Sequence, residues 1–417
     1  MKTAMPVSKG AAAVVAVVGL FGLGACSSSG RAGTKAPPHT STTSTSTSTS
    51  SITVAQSSTT ATSVPATVAS KPSVSGPPGG PVPTGVTPVS VTFDSPTEGF
   101  VLAGAACSTP PCTSILRTRD SGRSWVGIPA PRGAISSNGV SGQPVAGGVR
   151  GIRFASALDG WTFGPALYAT HDGGATWHPV SLPGTMEDLQ ASAGQAFALI
   201  GACTPSTGTC DSPQVTLWHT DAAADAWTQV PGVTGLAARN PIVLHGASGW
   251  VVLEDAAHVD QVFFTSDGHT WSRAANPCPA NTTLDSIAAG STTVGYLCVG
   301  QPASGTTTKQ LLTSSDQGRT TQVAGMAPSA GDGGALVALS PTAWVLASSS
   351  AASLIYRSSD GGRTWPSPVT YLDGGLGFGD FGFTTPTQGV AIHGPAHDSA
   401  QLIISRDGGA TWNPVTF

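Results

Sequence analysis

The chain has 417 residues, of which 10% are charged, and 18 Lys and Arg against 22 Asp and Glu give a formal net charge of −4. Binding to nucleic acid or to anionic lipid through counterion release is therefore not expected, because there is no excess of basic residues to drive it. The 53 glycines and 33 prolines argue against long helices and indicate a chain with many turns.

The first 25 residues have the pattern of an export signal, with two lysines followed by the apolar run 11–23. This run is too short to span a bilayer, which requires about 20 apolar residues. The sequence Leu23-Gly24-Ala25-Cys26 resembles a bacterial lipobox, in which the cysteine becomes the lipid-modified first residue. We therefore predict a lipoprotein signal peptide at 1–25, a palmitate-type anchor on Cys26, and a location on the extracytoplasmic face of the cell membrane. An ordinary secretory signal that ends near a cysteine is the alternative.

Residues 26–83 are rich in Ser, Thr and Pro and include the low-complexity tract TSTTSTSTSTSS at 40–51. This composition buries too little apolar surface to offset the entropy of ordering the chain. We predict a disordered tether that holds a folded domain, residues 84–417, away from the membrane.

Besides Cys26, the chain has six cysteines: Cys107, Cys112, Cys203, Cys210, Cys278 and Cys298. An even number of cysteines in an exported protein indicates disulfide bonds, here three.

An aspartate motif recurs seven times, at spacings of 44 to 52 residues, in the sequence from residue 118 onwards. Its complete forms are TRDSGRSW, THDGGATW, SSDGGRTW and SRDGGATW, and the other three copies are degraded. The seven aspartates are Asp120, Asp172, Asp221, Asp267, Asp316, Asp360 and Asp407. The spacing matches a four-stranded propeller blade, which has about 40–50 residues.

A short apolar strand precedes six of the motifs, as in GFVLAG, GWVVLE and GVAIHG, and the third motif has the weaker and more distant QAFALIG at 195–201. A further strand such as TSILRT or QLIISR lies just before most motifs. No apolar run of the mature part has a sustained helical period. The sequence therefore predicts an all-β chain with a single seven-bladed β-propeller. The ring closes either through a completing strand supplied by 84–94 or without interlocking.

The composition of the motif suits a tight turn between the third and fourth strands of a blade. The aspartate accepts hydrogen bonds from the N–H groups of the turn, and the glycines supply positive φ. The tryptophan begins the outer strand and buries its ring between blades. On this interpretation the seven aspartates are structural residues.

The pattern S/T-x-D-x-G-x-T-W resembles the Asp-box, or BNR repeat, of sialidases, sortilin-type receptors, xyloglucanases and propellers similar to photosystem II assembly factors. The resemblance covers residues 85–417. It implies that the Asp boxes lie at the periphery, away from the ligand. It implies no particular chemistry, because these families perform different functions on one fold.

In a blade that runs outward from strand A to strand D, the Asp boxes share one face of the ring, here called the Asp-box face, with the A–B turns. The B–C and D–A loops form the opposite face, called the loop face. Pairing the cysteines sequentially places all three disulfides on the loop face: Cys107–Cys112, Cys203–Cys210 and Cys278–Cys298. We favour this pairing, in which the disulfides either preorganise a binding face or only stabilise long loops.

A sialidase would need an Arg-Ile-Pro signature, three arginines, an acid/base aspartate and a tyrosine paired with a glutamate. No Arg-Ile-Pro is present, and the only glutamates are Glu98, Glu187 and Glu254. None of the tyrosines has an evident glutamate partner in the sequence: Tyr168, Tyr296, Tyr356 and Tyr371. We predict no catalytic residue and no cofactor.

Two B–C loops carry carboxylates and imidazoles at a spacing that suits a cation. The blade-four loop contains Glu254, Asp255, His258 and Asp260, and the blade-seven loop contains His393, His397 and Asp398. A solvated polar loop is the favoured interpretation, so no metal is predicted.

The sequence therefore predicts an exported, lipid-anchored scaffold that binds a protein or a cell-envelope glycan through the loop face. A sialidase-like hydrolase of glycans and a cation-binding sensor propeller are the alternatives.

Overall fold

Seven antiparallel sheets are arranged as a seven-bladed β-propeller, which confirms the predicted fold class. The computed structural model describes residues 76–136, 147–202, 214–300, 307–331, 333–374, 376–394 and 399–417. The predicted signal peptide, Cys26 and most of the tether lie outside these residues, as do Cys203, Cys210, His397 and Asp398. The described residues contain no helix long and apolar enough to be a membrane span.

Each blade is one consecutive stretch of chain that runs from the inner strand A to the outer strand D. Blade one contains β1 (Thr87–Phe93), β2 (Gly99–Gly104), β3 (Thr113–Thr118) and β4 (Val126–Ile128). Blade two contains β5 (Gly151–Phe154), β6 (Gly160–Phe163), β7 (Leu167–Thr170) and β8 (His178–Val180). Blade three contains β9 (Thr185–Ser192), β10 (Gln195–Ala202), β11 (Gln214–Asp221) and β12 (Thr228–Gly235).

Blade four has five strands, because two short inner strands pair with β15. They are β13 (Ala237–Ala238) and β14 (Val243–His245), followed by β15 (Ser248–Glu254), β16 (Asp260–Thr265) and β17 (Trp271–Ala274). Blade five contains β18 (Thr283–Ala289), β19 (Val294–Val299), β20 (Lys309–Ser314) and β21 (Gln322–Ala327). Blade six contains β22 (Ala335–Ala338), β23 (Trp344–Ser349), β24 (Ala352–Ser358) and β25 (Thr370–Asp373). Blade seven contains β26 (Phe378–Phe383), β27 (Gly389–His393), β28 (Gln401–Ser405) and β29 (Asn413–Pro414).

The core is divided into seven apolar clusters among the described residues, one between each pair of neighbouring blades. Strand B contributes to two of these clusters at once. In blade one, Val101 and Ala103 pack toward blade seven, whereas Phe100 and Leu102 pack toward blade two. This burial on both faces explains why the B strands are continuous apolar runs rather than alternating ones.

Six of the seven motif aspartates accept hydrogen bonds that close their turns, and five of them share one full set of bonds. In blade one, the Thr118 hydroxyl donates to Asp120 at 2.8 Å, and the Ser124 backbone N–H and hydroxyl donate to the same carboxylate at 2.8 and 2.6 Å. These bonds to the charged form lower the pKa of Asp120 to about 2, the hydroxyl of Ser124 being the largest cause. All three equivalent bonds form at Asp172, Asp316, Asp360 and Asp407, whereas Asp267 accepts from the Thr265 hydroxyl and from the N–H groups of His269 and Thr270.

The turns lie where the blade order places them, on the same face as the A–B turns. The N–H of Gly361 donates to the carbonyl of Thr342 at 2.8 Å, and that of Ser121 donates to Thr97 at 3.0 Å. The tryptophans that follow are half-buried except Trp125, which is 9% exposed. Most of these rings therefore cover the outer end of a blade interface.

The ring closes without an exchanged strand among the described residues. Blade one takes its inner strand from β1, and blade seven is complete in itself. The joint is apolar: Trp125 lies 5.6 Å from Phe417 and 6.3 Å from Phe93 between ring centroids. Residues N-terminal to β1 run along the outer strand of blade one, where Gly80 pairs with Gly127.

The second glycine of an Asp turn meets the neighbouring blade. Gly362 has φ +85°, and a Cβ there would lie 2.3 Å from Leu311, which is fully buried in blade five. Gly361 has φ +83°, but a Cβ there would come no closer than 3.6 Å to other atoms. Substitutions at these two positions therefore distinguish the cost of a positive φ from the cost of crowding against Leu311.

We expect Gly362→Ala to lower the free energy of unfolding by about 2–5 kcal/mol, since it adds overpacking of about 1–3 kcal/mol to the strain of positive φ. The matched control Gly361→Ala has the strain alone and should lose about 1–2 kcal/mol. Equilibrium urea unfolding measures both values. Equal losses would contradict the packing of the turn against Leu311.

Candidate functional site

The inner strands of the seven blades surround a central channel of about 980 Å³. Its lining combines apolar strand residues with a small set of polar groups. The charged and amide side chains in this lining are Arg153, Gln190, Arg239, Asn240, Asp285 and Asp380. A pocket of this size with few polar groups is the usual place for a binding site.

Register shifts in the inner strands determine the direction of two of these side chains, Asp285 and Asp380. The pairing of β18 with β19 skips Asp285, and the pairing of β26 with β27 skips Asp380 and Phe381. Asp380 also has φ +48°, a conformation that aspartate tolerates better than most residues. Bulges of this kind turn a side chain away from the regular pleat.

Polar side chains of one inner strand accept hydrogen bonds from the backbone of the next blade. The Ser90 hydroxyl accepts from the N–H of Ile152 at 3.1 Å, and Asp188 accepts from Ile242 at 2.7 Å. Asp285 accepts from Gly334 at 2.8 Å. These bonds satisfy N–H groups on the edge of strand A that faces the channel, where no further strand pairs.

The strongest of these contacts joins three blades and is called here the Asp380 cluster (Ser90, Arg153 and Asp380). Arg153 of blade two donates to Asp380 of blade seven at 2.6 Å and to Ser90 of blade one at 3.2 Å. The Ser90 hydroxyl and the N–H of Val91 also donate to Asp380, at 2.5 and 2.9 Å. The cluster therefore ties both ends of the ring to blade two.

The ionisation of the channel follows from burial and from this pairing. Burial alone would lower the pKa of Arg153, but the neighbouring Asp380 raises it, so the guanidinium remains charged. Burial raises the pKa of Asp285, which lines the channel, and of Asp188 on the inner strand β9. The channel therefore carries a fixed cation opposite carboxylates that already accept backbone hydrogen bonds.

The predicted blade-four cluster lies at the loop-face end of the channel, where its carboxylates bind Arg239. Arg239 contacts Glu254 at 2.9 Å and Asp260 at 3.3 Å, and His258 contacts the other oxygen of Glu254. Asp255 instead closes its own loop by accepting from the N–H groups of Ala257 and Val259. These contacts favour the interpretation of a structural polar loop over a cation site.

Of the blade-seven cluster, His393 is the member that the structure describes. It is buried at the end of β27, with its ring 5.7 Å from that of Phe378. His397 and Asp398 lie outside the described residues.

Two of the predicted disulfides are present, Cys107–Cys112 and Cys278–Cys298. The first closes the B–C loop of blade one, and the second ties the connection between blades four and five to β19. Both lie on the loop face, as the sequential pairing requires.

Two of the four tyrosines, Tyr296 and Tyr356, are buried and are poorly suited to act as an activated nucleophile. Burial raises the pKa of Tyr296 to about 12 and also raises that of Tyr356. Glu98 is paired with Arg119 at 3.2 Å on the Asp-box face. Glu187 lies beside the channel, and burial raises its pKa.

One strongly perturbed carboxyl lies away from the channel. Burial, together with nearby Glu98, raises the pKa of Asp94 to about 6. Asp94 belongs to the A–B turn that follows β1, on the Asp-box face. Its position separates it from the groups that line the channel.

Comparison with known proteins identifies the fold and no family. No family model matches the sequence, and no curated protein sequence matches it. Among solved structures, an oligogalacturonate lyase in complex with manganese has a TM-score of 0.50 at 10% identity, over 74% of this chain and 86% of the lyase. A prolyl endopeptidase has a TM-score of 0.52 at 9% identity over 79% of this chain, which spans half the length of that enzyme. YCF48 from Cyanidioschyzon merolae has a TM-score of 0.45 at 16% identity, over 79% of this chain and 96% of YCF48.

Sequence reasoning located the blades but missed the residues that line the channel. Ser90, Arg153 and Asp380 are separated by up to 290 positions and belong to no motif. The one local signal is the sequence GFGDFGF, whose aspartate lies in the middle of an inner strand. An acidic residue there indicates a bulge or a buried bond, but not its partner.

We expect Asp380→Asn to lower the free energy of unfolding by about 3 kcal/mol, because it removes the charge opposite a guanidinium that is 15% exposed. The matched control is Arg119→Met, which breaks an ion pair whose arginine is 47% exposed and should cost at most about 1 kcal/mol. Urea unfolding measures both variants. Similar small losses would show that the Asp380 cluster does not hold the ring closed.

Proposed function

We propose that this chain is an exported, lipid-anchored propeller that acts as a non-catalytic binding scaffold at the cell surface. Its ligand is a protein or a cell-envelope glycan bound at the loop face. The observation that carries the proposal is that the inner-strand carboxylates Asp188, Asp285 and Asp380 all accept hydrogen bonds from neighbouring blades. Groups held in this way stabilise a rigid ring and are poorly placed to exchange protons with a substrate.

The loop face has the features of a preorganised binding surface. Two disulfides restrain its connections, which lowers the entropy that binding has to remove. His258 and Val259 project from the blade-four loop, with Val259 54% exposed. Arg239 lies between this loop and the channel, and its side chain is 42% exposed. An apolar contact beside an arginine is a combination common at protein interfaces.

The alternative of a glycan hydrolase needs a pair of carboxyl groups with separate acid and base roles. At the loop face, Glu254 and Asp260 both contact Arg239, so each is held in an ion pair instead of being available to a substrate. The geometry therefore favours a binding role.

The binding surface is tested with immobilised mature chain, presented with purified cell-wall polysaccharide and with detergent-solubilised envelope proteins. We expect one component to be retained and Val259→Asp to reduce its retention at least about tenfold, because a charge at an interface core costs more than 1.4 kcal/mol. The control Val323→Asp changes an equally exposed valine on the outer strand of blade five and should keep binding.

Equal effects of the two substitutions, or no retained component, would contradict the loop face as the binding surface. Incubation with fluorogenic sialosides and β-glucan fragments tests the alternative. Turnover that disappears in Glu254→Gln would replace the scaffold proposal with a hydrolase.

Membrane anchoring through Cys26 is tested separately. We expect Cys26→Ser to move the protein from the membrane fraction to the soluble extracytoplasmic fraction, because the acyl chains that hold it are attached to that cysteine. Detergent phase partitioning measures the shift, and Cys107→Ser with Cys112→Ser is the control that leaves the lipobox intact. An unchanged membrane fraction in Cys26→Ser would contradict lipidation at this residue.

A further inference from the structure

Two histidines and an aspartate meet at the boundary between blades two and three on the Asp-box face. They are called here the His171 cluster (His171, His178 and Asp225). Both Nε2 atoms contact the same oxygen, Oδ2 of Asp225, at 2.9 Å from His171 and 2.8 Å from His178. The three atoms all lie within 4.8 Å of one another.

A second layer of contacts orients two of these side chains. Oδ1 of Asp159 lies 2.9 Å from Nδ1 of His171, and the Trp161 indole N–H donates to Oδ1 of Asp225 at 3.0 Å. A proton on Nδ1 of His171 leaves the Nε2 lone pair available as a ligand. The indole bond likewise leaves Oδ2 of Asp225 as the inward oxygen. A carboxylate behind a ligating histidine is the usual support of a metal site.

We propose that the His171 cluster binds one divalent transition-metal ion of the Zn²⁺ type and thereby joins blade two to blade three. Two imidazole nitrogens and one carboxylate oxygen suit Zn²⁺ or Co²⁺ better than Ca²⁺ or Mg²⁺, which prefer sets of oxygen ligands. Three protein ligands leave one position of a tetrahedral ion for water or for a donor atom of a bound molecule.

The surroundings allow an ion to enter and to be held. The side chain of His178 is 50% exposed, which provides the path from solvent, whereas that of Asp225 is 14% exposed. Tetrahedral zinc with bonds of about 2.1 Å holds its ligand atoms about 3.4 Å apart. The two Nε2–Oδ2 distances, 2.9 and 2.8 Å, therefore have to widen by about half an ångström when an ion binds.

The degraded Asp turn of blade three supplies the third ligand. Its sequence, Asp221-Ala-Ala-Ala-Asp225-Ala-Trp227, has one residue more than the complete motif. Asp225 has φ +47°, and its carboxylate reaches across to blade two. The departure from the motif thus places a carboxylate where the two histidines of blade two converge.

The test uses the full chain, freed of metal with a chelator and titrated with Zn²⁺, Co²⁺ or Ca²⁺. We expect one equivalent of Zn²⁺ to bind and to raise the melting temperature, and Co²⁺ to develop the visible absorption of a four-coordinate ion. Ca²⁺ should have neither effect. Isothermal titration calorimetry measures the affinity.

Substitutions test which residues bind the ion, through their effect on the affinity for Zn²⁺. His178→Ala should weaken Zn²⁺ binding more than about a hundredfold, and Asp159→Ala, which leaves all three ligands in place, by about 10–100-fold. The control His245→Ala removes an exposed histidine from the same face and should leave the affinity unchanged.

Absence of Zn²⁺ and Co²⁺ binding to the wild-type chain would overturn the proposal and leave the His171 cluster as a hydrogen-bonded contact only. Binding that survives His178→Ala unchanged would overturn it equally. Circular dichroism of the variants without metal distinguishes loss of the site from loss of the fold.

Discussion

Closure between blade seven and blade one is the constraint on which the rest of the structure depends. The described residues contain no strand shared by the two blades, so side chains have to hold this joint. Asp380 accepts hydrogen bonds from the Ser90 hydroxyl, the Val91 N–H and the Arg153 guanidinium. It therefore forms an ion pair with blade two and also pairs with a backbone N–H of blade one. Trp125 and Phe417 cover the apolar side of the same joint. Removing one partner of a charged contact that is largely buried is costly because the other charge is left without compensation, so this contact can hold a joint that no shared strand closes.

The Asp turns join the third and fourth strands of a blade on the Asp-box face. Their aspartates collect hydrogen bonds that stabilise the charged form, which lowers the pKa of Asp316 and Asp360 to about 2. Their second glycine leaves room for the neighbouring blade, as Gly362 does for Leu311. The repeated motif is therefore explained by turn geometry and blade packing. In blade three the altered turn instead presents Asp225 to two histidines, and it is there that we infer a metal site.

The blades were predictable because their signals are local. Apolar B strands bury both faces, tight turns need aspartate and glycine, and the spacing reports the size of a blade. From these, the order of strands, the face of each loop and the disulfides Cys107–Cys112 and Cys278–Cys298 could be anticipated. The partner of Glu254 and Asp260 could not, because Arg239 reaches them from a different strand. Because of these contacts, the loop that the sequence offered as a candidate cation site is instead a surface held by ion pairs.

The sequence by itself determined the all-β class, the seven repeats and the division of each blade into strands, since periodic residues control backbone conformation within a few positions. Only the tertiary structure decided which side chains meet across blades. Asp380 with Ser90 and Arg153, and Asp225 with His171 and His178, come together because a closed ring brings distant segments into contact. Such contacts depend on the rotation of one blade relative to the next, and no local pattern in the chain encodes that rotation.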